Sequence, residues 1–516
     1  MTAFSFLDRT HTLAPPGYSR WLVPPAALAI HICIGQAYAL SVFNLPMSRL
    51  IGITQTAPDD WPLTTTVWIF NIAIVFLGLS AAVFGKWVER GGPRRAMFAS
   101  ACCFGAGFQI AALGVMSHTI ALVYVGYGVF GGIGLGLGYI SPVSTLIKWF
   151  PDRPGMATGM AIMGFGGGAM IGAPLAESLM RWYASSSSVG VWQTFATMGA
   201  LYFAMMMFGV FTVRVPRDGW TPGGVQPASS AHRLVASAAV TADTAIATPQ
   251  FWLLWGVLCT NVTAGIGILA QASPLIQESF PGRVTPAAAA GFVGLLSLFN
   301  LSGRFFWSSL SDAIGRKTTY AIYLGIGLLL YACVPSLGRA GNLVLFVGTF
   351  SVILSMYGGG FATIPAYLRD MFGSLQVGAI HGRLLTAWSV AGIAGPTTVT
   401  YIRDYQIAHG VTKADAYSVA IYIMVAVLAV GFLCNLAVRP VDARYYVPSP
   451  SPSAMVAALA PVAASTEQSA GIIEPRGGLD GPGASRARIA LAWLLVSIPL
   501  LWGVYQTVIK SLALFA

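Results

Sequence analysis

The stretch G-K-W-V-E-R-G-G-P-R-R (Gly85 to Arg95) decides the fold, because a second version of it occurs in the other half of the chain. Glu89 of this stretch matches Asp312 of S-S-L-S-D-A-I-G. Two pairs of prolines have nearly the same separation in residue number as Glu89 and Asp312. Pro142 and Pro365 have the same separation, and Pro174 and Pro396 are one residue closer together. Matched pairs at nearly one offset indicate that the chain is a tandem repeat of two similar halves.

The composition is that of a protein that crosses a membrane many times. Hydrophobic residues make up 56% of the 516 residues, charged residues only 9%, and the mean hydropathy is +0.72. A soluble protein of this size needs more polar surface. The net charge of +11 does not indicate a nucleic-acid partner, because the Lys and Arg residues occur in short clusters between apolar stretches. We therefore expect the lipid bilayer as a partner, and no nucleic acid.

Thirteen apolar stretches are long enough to span a bilayer, six in each half of the repeat and one after them. The predicted fold class is an all-α membrane protein with two pseudo-symmetric six-helix bundles plus one extra C-terminal transmembrane helix. Its predicted parts are a first bundle at 1–213, a cytoplasmic linker at 214–249, a second bundle at 250–439, a flexible cytoplasmic tether at 440–486 and the additional helix at 487–516.

Basic residues in the loops predict the orientation. They follow the second, fourth and eighth helices and flank the turn between the tenth and eleventh, so they all lie on one side: Lys86, Arg90, Arg94, Arg95, Lys148, Arg153, Arg316, Lys317, Arg369 and Arg383. Loops rich in Lys and Arg stay on the cytoplasmic side of a membrane. We therefore expect a multi-pass protein of the cell membrane, specifically the bacterial inner membrane, with its amino terminus in the cytoplasm.

The two repeated loops resemble the signature loops of the major facilitator superfamily. Gly85 to Arg95 and L-S-D-A-I-G-R-K (Leu310 to Lys317) both place an acidic residue at a helix end and basic residues in the next turn. The resemblance implies two six-helix bundles that rock against each other, with these loops as latches on the cytoplasmic face. Glu89 stands where the superfamily usually has Asp. The residues expected to form the latches are Glu89, Arg90, Arg94, Asp312 and Arg316.

Three further stretches are similar to the oxalate:formate antiporter branch and, more distantly, to monocarboxylate transporters: Tyr139 to Met160, Gly358 to Tyr367 and Gly382 to Pro396. In the antiporter branch, an arginine of the eighth helix and a lysine of the eleventh meet the substrate carboxylates. The arginine position corresponds to Arg304, but Trp388 takes the lysine position. The loss of one of two cations disfavours a dianion such as oxalate, so this departure implies a monocarboxylate substrate.

Arg304, in N-L-S-G-R-F-F-W, lies inside an apolar helix. It precedes the loop at Ser311 by about two helical turns, which places it roughly 10 Å deep. A guanidinium keeps its charge, so at this depth it needs a partner or a polar cavity. Our hypothesis is that it binds the substrate anion; the alternatives are a structural contact and snorkelling toward the interface. Its repeat equivalent is Ala81, so the scaffold alone does not require an arginine.

Other side chains are expected to shape a central cavity. Four aromatic residues on the first, fourth, tenth and eleventh helices are candidates for its walls, with core packing as the alternative for each: Tyr38, Tyr139, Tyr357 and Trp388. The uncharged polar candidates are Gln36, Asn71 and Asn300. For Gln36 and Asn71 an interhelical hydrogen bond is the alternative, whereas Asn300 stands one turn before the arginine. His31 is either a proton relay or a packed side chain.

Together these features predict a secondary transporter of small carboxylates that works by alternating access. The sequence has no G-x-x-x-x-G-K-[ST] loop for ATP and no constellation of nucleophile, base and metal ligands. We therefore expect no catalytic residues, enzyme activity, cofactor or metal site. The alternative is a transporter-like sensor that binds a small carboxylate without moving it. The additional helix is either an anchor or a regulatory element, and the state of assembly is open, with a monomer among the candidates.

Overall fold

The computed structural model describes residues 5–217, 220, 239–447 and 486–512, and within these residues the chain is helical, without a β-sheet. The prediction of an all-α chain is confirmed. Most of the predicted linker at 214–249 and of the predicted tether at 440–486 lies outside the described residues.

The first half contributes six long helices to the described part of the chain. They are α1, Val23–Ile34, which continues as 3₁₀ turns over Gly35–Phe43; α2, Leu63–Gly91; α3, Pro93–Met116; α4, Ile120–Trp149, which is π-helical over Tyr124–Gly131; α5, Pro154–Tyr183; and α6, Val191–Thr212.

The second half contributes six more, and one helix follows them. They are α7, Pro249–Ser279; α8, Pro286–Ile314; α9, Arg316–Arg339; α10, Leu343–Phe372; α11, which is divided into Val377–Leu384 and Thr386–Ala408; α12, Ser418–Ala437; and α13, Arg486–Leu512. A short helix, Ala242–Ile246, precedes α7.

The repeat of the sequence recurs in the backbone. Gly92 joins α2 to α3 with φ 84° and ψ 163°, and Gly315 joins α8 to α9 with φ 86° and ψ 151°. Positive values of φ favour glycine, because a Cβ atom is strained there. The two glycines are separated by the same offset in residue number as Glu89 and Asp312, so the same turn ends the equivalent helix of each half.

Eleven of the long helices in the described residues are apolar enough, over 18 residues, to cross a membrane. The other two long helices, α8 and α11, carry polar side chains in their middle parts: Asn300 and Arg304 in α8, and Ser389 in α11. A helix that faces a polar site in the middle of a bundle needs fewer apolar residues than one that faces lipid.

The two halves meet chiefly along two helix pairs, α2 with α11 and α5 with α8, and α5 also contacts α10. We call the side that carries the loops Gly85–Arg95 and Leu310–Lys317 the basic-loop face. There the pairs approach closely: a Cβ atom on Gly85 would lie 2.7 Å from the Cα atom of Ala379, and one on Gly159 would lie 2.8 Å from the carbonyl oxygen of Arg304. Toward the opposite face a cavity separates the halves. The structure is therefore closed at the basic-loop face.

α13 lies across the α5–α8 pair and contacts both halves, through α8, α5 and α1. The indole Nε1 of Trp493 donates a hydrogen bond to the carbonyl oxygen of Trp21 at 3.1 Å. Close packing occurs at glycines: Gly503 faces Met170 and Ile171, Gly294 faces Thr507, and Gly167 faces Leu500. The additional helix therefore packs on the seam between the halves.

Replacing Gly503 by Leu should displace α13 from α5. A Cβ atom at this position would lie 3.1 to 3.2 Å from Met170 and Ile171, and overpacking of this kind costs about 1–3 kcal/mol. We expect a lower melting temperature of the full chain in detergent. The matched control is Gly348→Leu in α10, where a Cβ atom meets nothing within 4 Å. Equal melting temperatures for the two variants would contradict this packing.

Candidate substrate site and latches

A cavity of about 220 Å³ lies between the two halves, on the side of Arg304 away from the basic-loop face. Its walls come from α1, α2, α5, α7, α8 and α11 and are mostly apolar. The polar side chains that line it are Tyr38, Asn71, Ser297 and Asn300. Apolar walls with a few polar groups are typical of a site for a small ligand. The structure thus brings Tyr38, Asn71 and Asn300 together at one cavity.

Arg304 is fully buried one helical turn below Asn300, next to the floor of the cavity. Its Nε donates to Asn300 Oδ1 at 2.9 Å, and its Nη1 donates to the carbonyl oxygen of Ile162 at 3.3 Å. The rings of Phe165 and Phe361 lie 5.5 and 5.4 Å from the guanidinium carbon, a distance at which aromatic faces attract a cation. Nη2 has no hydrogen-bond partner among the described residues. Nη2 is therefore a candidate donor to an anion, in a position where the Tyr38 and Tyr139 hydroxyls also approach the guanidinium.

An aromatic cluster surrounds this guanidinium. The ring of Trp388 lies 4.4 Å from that of Phe361 and 5.5 Å from that of Phe165. The Tyr139 ring is also 5.5 Å from Trp388. Within the described residues, Trp388 Nε1 and Tyr139 OH are buried without a hydrogen-bond partner. A buried polar group without a partner costs about 1–3 kcal/mol, so several of them around one cation make this cluster a candidate site for a polar ligand.

Of the remaining predicted site residues, Tyr357 lies beside the cavity and Gln36 lies inside the first half. Tyr357 OH lies 3.4 Å from Tyr38 OH, so a tyrosine of the second half meets one of the first half beside the cavity. Gln36 does not line the cavity. Its Oε1 accepts a hydrogen bond from Tyr127 OH at 2.9 Å inside the first half, which is the interhelical bond given above as the alternative.

Two buried histidines pack near the ring of Tyr139. The His31 ring is 5.5 Å from it, and the His31 Nδ1 atom lies 3.1 Å from the carbonyl oxygen of Ala27; because a carbonyl only accepts, Nδ1 carries the proton. The His381 ring is 5.8 Å from Tyr139. Sequence reasoning missed His381, because it stands two residues from Arg383 and looks like part of a basic loop.

At the basic-loop face, each half caps a helix of the other half. Asp312 of α8 accepts hydrogen bonds from the backbone N–H groups of Gly155 and Met156, both at 2.9 Å, at the start of α5. Glu89 of α2 accepts one from Gly378 N at 3.0 Å, at the start of α11. Helix amino termini attract carboxylates through their free N–H groups and their dipole. The two acidic residues therefore make equivalent contacts across the seam, as the predicted latches require.

The cations of the latches differ between the halves. Arg316 pairs with Asp312, as expected, and also with Asp370 at 3.0 Å. Glu89 pairs with Lys148 of α4 at 2.8 Å, which the sequence analysis did not include in the latch. Arg94, which it did include, donates instead to carbonyl oxygens of its own half, those of Phe6, His11 and Val213. In the described part of the chain, its hydrogen-bond partners are therefore these carbonyl oxygens and not Glu89.

A third contact between the halves is a pair of salt bridges at Asp243, in the short helix before α7. Its carboxylate pairs with Lys86 of the first half and with Arg383 of the second half, the latter at 2.7 Å. Lys86 and Arg383 together lower the pKa of Asp243 to about 2. The carboxylate is therefore charged throughout the physiological pH range.

A family model described as Major Facilitator Superfamily matches residues 26–396, well over half of the chain. The chain belongs to this superfamily. The predicted fold class and the resemblance of the signature loops are thereby confirmed, and the chain is a multi-pass membrane transporter of this superfamily.

Relatives of known name agree with the narrower resemblance. The oxalate:formate antiporter of Oxalobacter formigenes is 26% identical over 381 residues, which are 73% of this chain and 83% of the antiporter. Human monocarboxylate transporter 11 is 22% identical over 409 residues, 76% of this chain and 78% of that protein. Among solved structures, the superfamily transporter FucP of E. coli, in its outward conformation, matches with a TM-score of 0.57 at 15% identity, covering 82% of this chain and 100% of FucP.

Neutralising a latch should open the basic-loop face. Asp312→Asn removes the charge from hydrogen bonds to two backbone N–H groups, and charge-assisted bonds contribute about 1.5–3 kcal/mol each. We expect a cysteine at the buried seam position Ser144 to react with a thiol reagent at least about tenfold faster, in a background without the six native cysteines. The control is Asp415→Asn, which removes an equally charged partner of exposed Arg339. Similar rates in both variants would contradict the latch.

The stabilisation from the salt bridges of Asp243 should be lost at low pH. Its pKa in the folded protein is about 2, below the usual 3.8, so its stabilisation is present above about pH 4 and is lost as the pH falls toward 2. The measurement is the difference in melting temperature between the parent chain and Asp243→Asn. We expect a constant difference from about pH 5 to 8 that disappears near pH 2. A difference that already disappears between pH 6 and 5 would show that this carboxylate is not held by the two cations.

Proposed function

We infer that the chain carries small monocarboxylates across a bacterial inner membrane by alternating access, with Arg304 receiving the carboxylate. One observation carries this proposal: a guanidinium is buried between the halves, and its Nη2 makes no hydrogen bond to any of the residues that the structure describes. It touches Ile162 and Phe165 of the first half as well as Asn300 and Phe361 of the second. An anion bound there is therefore sensed by both halves, which is what coupling of binding to rocking requires.

The preference for one carboxylate rests on the surroundings of that guanidinium. The position expected to supply a second cation holds Trp388, whose ring packs against Phe361 and Phe165. The cavity above is lined mostly by apolar side chains. A second carboxylate would lose its hydration there without gaining a cation, whereas a methyl or other small apolar group fits. The relatives are named for oxalate and formate or for monocarboxylates, which supports a substrate of this chemical class.

The orientation is part of the proposal. The basic-loop face carries the Lys and Arg clusters, so it is assigned to the cytoplasm. The amino terminus then lies inside, and the structure, closed at that face with a cavity on the other side, is an outward-facing state. Rocking of the halves breaks the latches at Glu89 and Asp312 and exposes Arg304 to the cytoplasm.

A carboxylate sensor is the second candidate, and the position of α13 favours it. This helix packs on both halves across the α5–α8 seam, so it resists rocking more than a peripheral anchor would. A chain locked by α13 would bind the ligand and not release it on the other side. Flux measurements separate the two functions.

Counterflow in proteoliposomes tests the proposal. Vesicles loaded with formate, acetate, lactate, pyruvate or oxalate are followed for exchange of the labelled compound. We expect a monocarboxylate to exchange, and Arg304→Gln to reduce its transport efficiency by about ten- to a hundredfold, as expected for a lost charge-assisted hydrogen bond. Arg304→Lys should retain part of it, since lysine keeps the charge without the planar fork. The matched control is Arg339→Gln, whose guanidinium pairs with Asp415 at the surface.

Each other outcome has a distinct meaning. Fastest exchange of oxalate would refute the one-cation argument at Trp388. Undiminished exchange in folded Arg304→Gln would refute the role of the guanidinium. Binding of a carboxylate without exchange of any compound would favour the sensor.

A further inference from the structure

α8 and α10 touch each other backbone to backbone at the level of Arg304. A Cβ atom on Gly303 of α8 would lie 2.0 Å from the carbonyl oxygen of Ser355, and one on Gly358 of α10 would lie 2.2 Å from the carbonyl oxygen of Asn300. A Cβ atom essentially never comes this close to another heavy atom, so both contacts require glycine. The two glycines therefore set how closely α10 approaches the helix that carries the arginine.

Gly358 also faces the side chain of Asn300. A Cβ atom at Gly358 would lie 2.7 Å from Asn300 Oδ1. The same Oδ1 accepts the hydrogen bond from Arg304 Nε at 2.9 Å. Asn300 is buried and lines the substrate cavity as well. The oxygen that holds the guanidinium thus lies in space that any larger residue at position 358 would take.

The bond from Asn300 is a contact that the guanidinium makes within its own half. The carbonyl oxygen of Ile162 and the hydroxyls of Tyr38 and Tyr139, which also approach the guanidinium, belong to the first half. Under the proposed rocking motion those contacts change, whereas the contact to Asn300 persists. Phe361, one helical turn after Gly358 on α10, adds its ring from the same half, 5.4 Å from the guanidinium carbon.

The next residue of α10 offers a comparison. A Cβ atom on Gly359 would lie 2.7 Å from Tyr323 OH and 2.7 Å from Trp307 Cβ, as short as the distance from Gly358 to the amide oxygen. Trp307 Nε1 donates to Ser355 Oγ at 3.1 Å, and the Trp307 and Tyr323 rings pack 5.5 Å apart. Neither of these two side chains lines the substrate cavity. Crowding at Gly359 therefore disturbs packing of α10 without displacing the acceptor of the guanidinium.

We propose that Gly358 is a positioning residue of the substrate site, which acts through Asn300. A side chain at this position displaces Asn300 Oδ1, so Arg304 Nε loses its acceptor and the guanidinium is no longer held in one orientation. A donor that is oriented before the anion arrives binds it more tightly, because less freedom is lost on binding. The effect on a transported anion rests on the proposed function, whereas the effect on the guanidinium does not.

The guanidinium itself can be observed by NMR in the full chain in detergent. With ¹⁵N-labelled arginine, the Nε–H resonance of Arg304 is identified by its loss in Arg304→Lys. Gly358→Ala should shift this resonance and speed its exchange with water by at least about tenfold, because the buried N–H loses the acceptor that protects it. Asn300→Ala, which removes the acceptor without crowding α10, should do the same. Gly359→Ala is the matched control and should change the exchange rate by less than about twofold.

Transport gives a second readout. In counterflow with formate, acetate, lactate or pyruvate, Gly358→Ala should raise the apparent KM of the exchanged compound by about tenfold. The maximal rate should change by less than about threefold, since the latches at the basic-loop face are untouched. In an Asn300→Ala background the same substitution should change KM by less than about twofold, because the residue through which it acts is already removed.

Three results would overturn the proposal. Equal effects of Gly358→Ala and Gly359→Ala on the Nε–H resonance would leave Gly358 with a packing role alone. Losses in KM that multiply in the double variant would show that Gly358 does not act through Asn300. An unchanged resonance in Asn300→Ala would refute the proposal even if Gly358→Ala fails to fold. If no monocarboxylate exchanges but the resonance follows these variants, the proposed transport function fails and the positioning role stands.

Discussion

Two carboxylates hold the halves together at the starts of helices. Asp312 and Glu89 reach across the seam to backbone N–H groups at the amino termini of α5 and α11, where the helix dipole favours negative charge. Such bonds are strong enough to hold one arrangement and, at a partly solvated face, weak enough to break. The cavity between the halves follows from this closure, because it joins the halves at one face and leaves them apart at the other. Losing either carboxylate thus weakens the contact that keeps this cavity closed from the basic-loop face.

The same closure explains how a buried guanidinium is tolerated. The buried guanidinium of Arg304 loses its hydration. It instead contacts one amide oxygen, one carbonyl oxygen and two aromatic faces, which do not cancel its charge. The carbonyl oxygen of Ile162 and the ring of Phe165 belong to the other half, so part of this compensation exists only while α5 and α8 are in contact. Under the proposed function, an anion bound at Nη2 supplies the missing charge. Binding and the relative position of the halves are then linked energetically through one side chain.

Much of this arrangement follows from the sequence alone. The repeat that matches Glu89 with Asp312 predicts equivalent turns, and Gly92 and Gly315 have nearly the same backbone angles. Depth is also predictable, since distance along a helix is proportional to residue number. The direction in which a side chain points around the helix axis, and the neighbours that it meets on other helices, are not predictable from residue number. For that reason the pairing of Glu89 with Lys148, the position of His381 beside Tyr139 and the bond of Gln36 to Tyr127 emerge only from the structure.

The position of α13 is a further feature that periodicity does not predict, and it restricts how the halves move. A helix that contacts α1, α5 and α8 at once cannot follow one half rigidly without changing its contacts with the other. Gly167 and Gly294 face α13 and have no side chains that project toward it. Leu500 packs over Gly167, and Thr507 packs over Gly294. Small residues at a helix contact permit close approach with little interlocking, so displacement along the contact costs less than displacement across ridges of large side chains. Any rocking of the halves therefore requires α13 to shift along this contact.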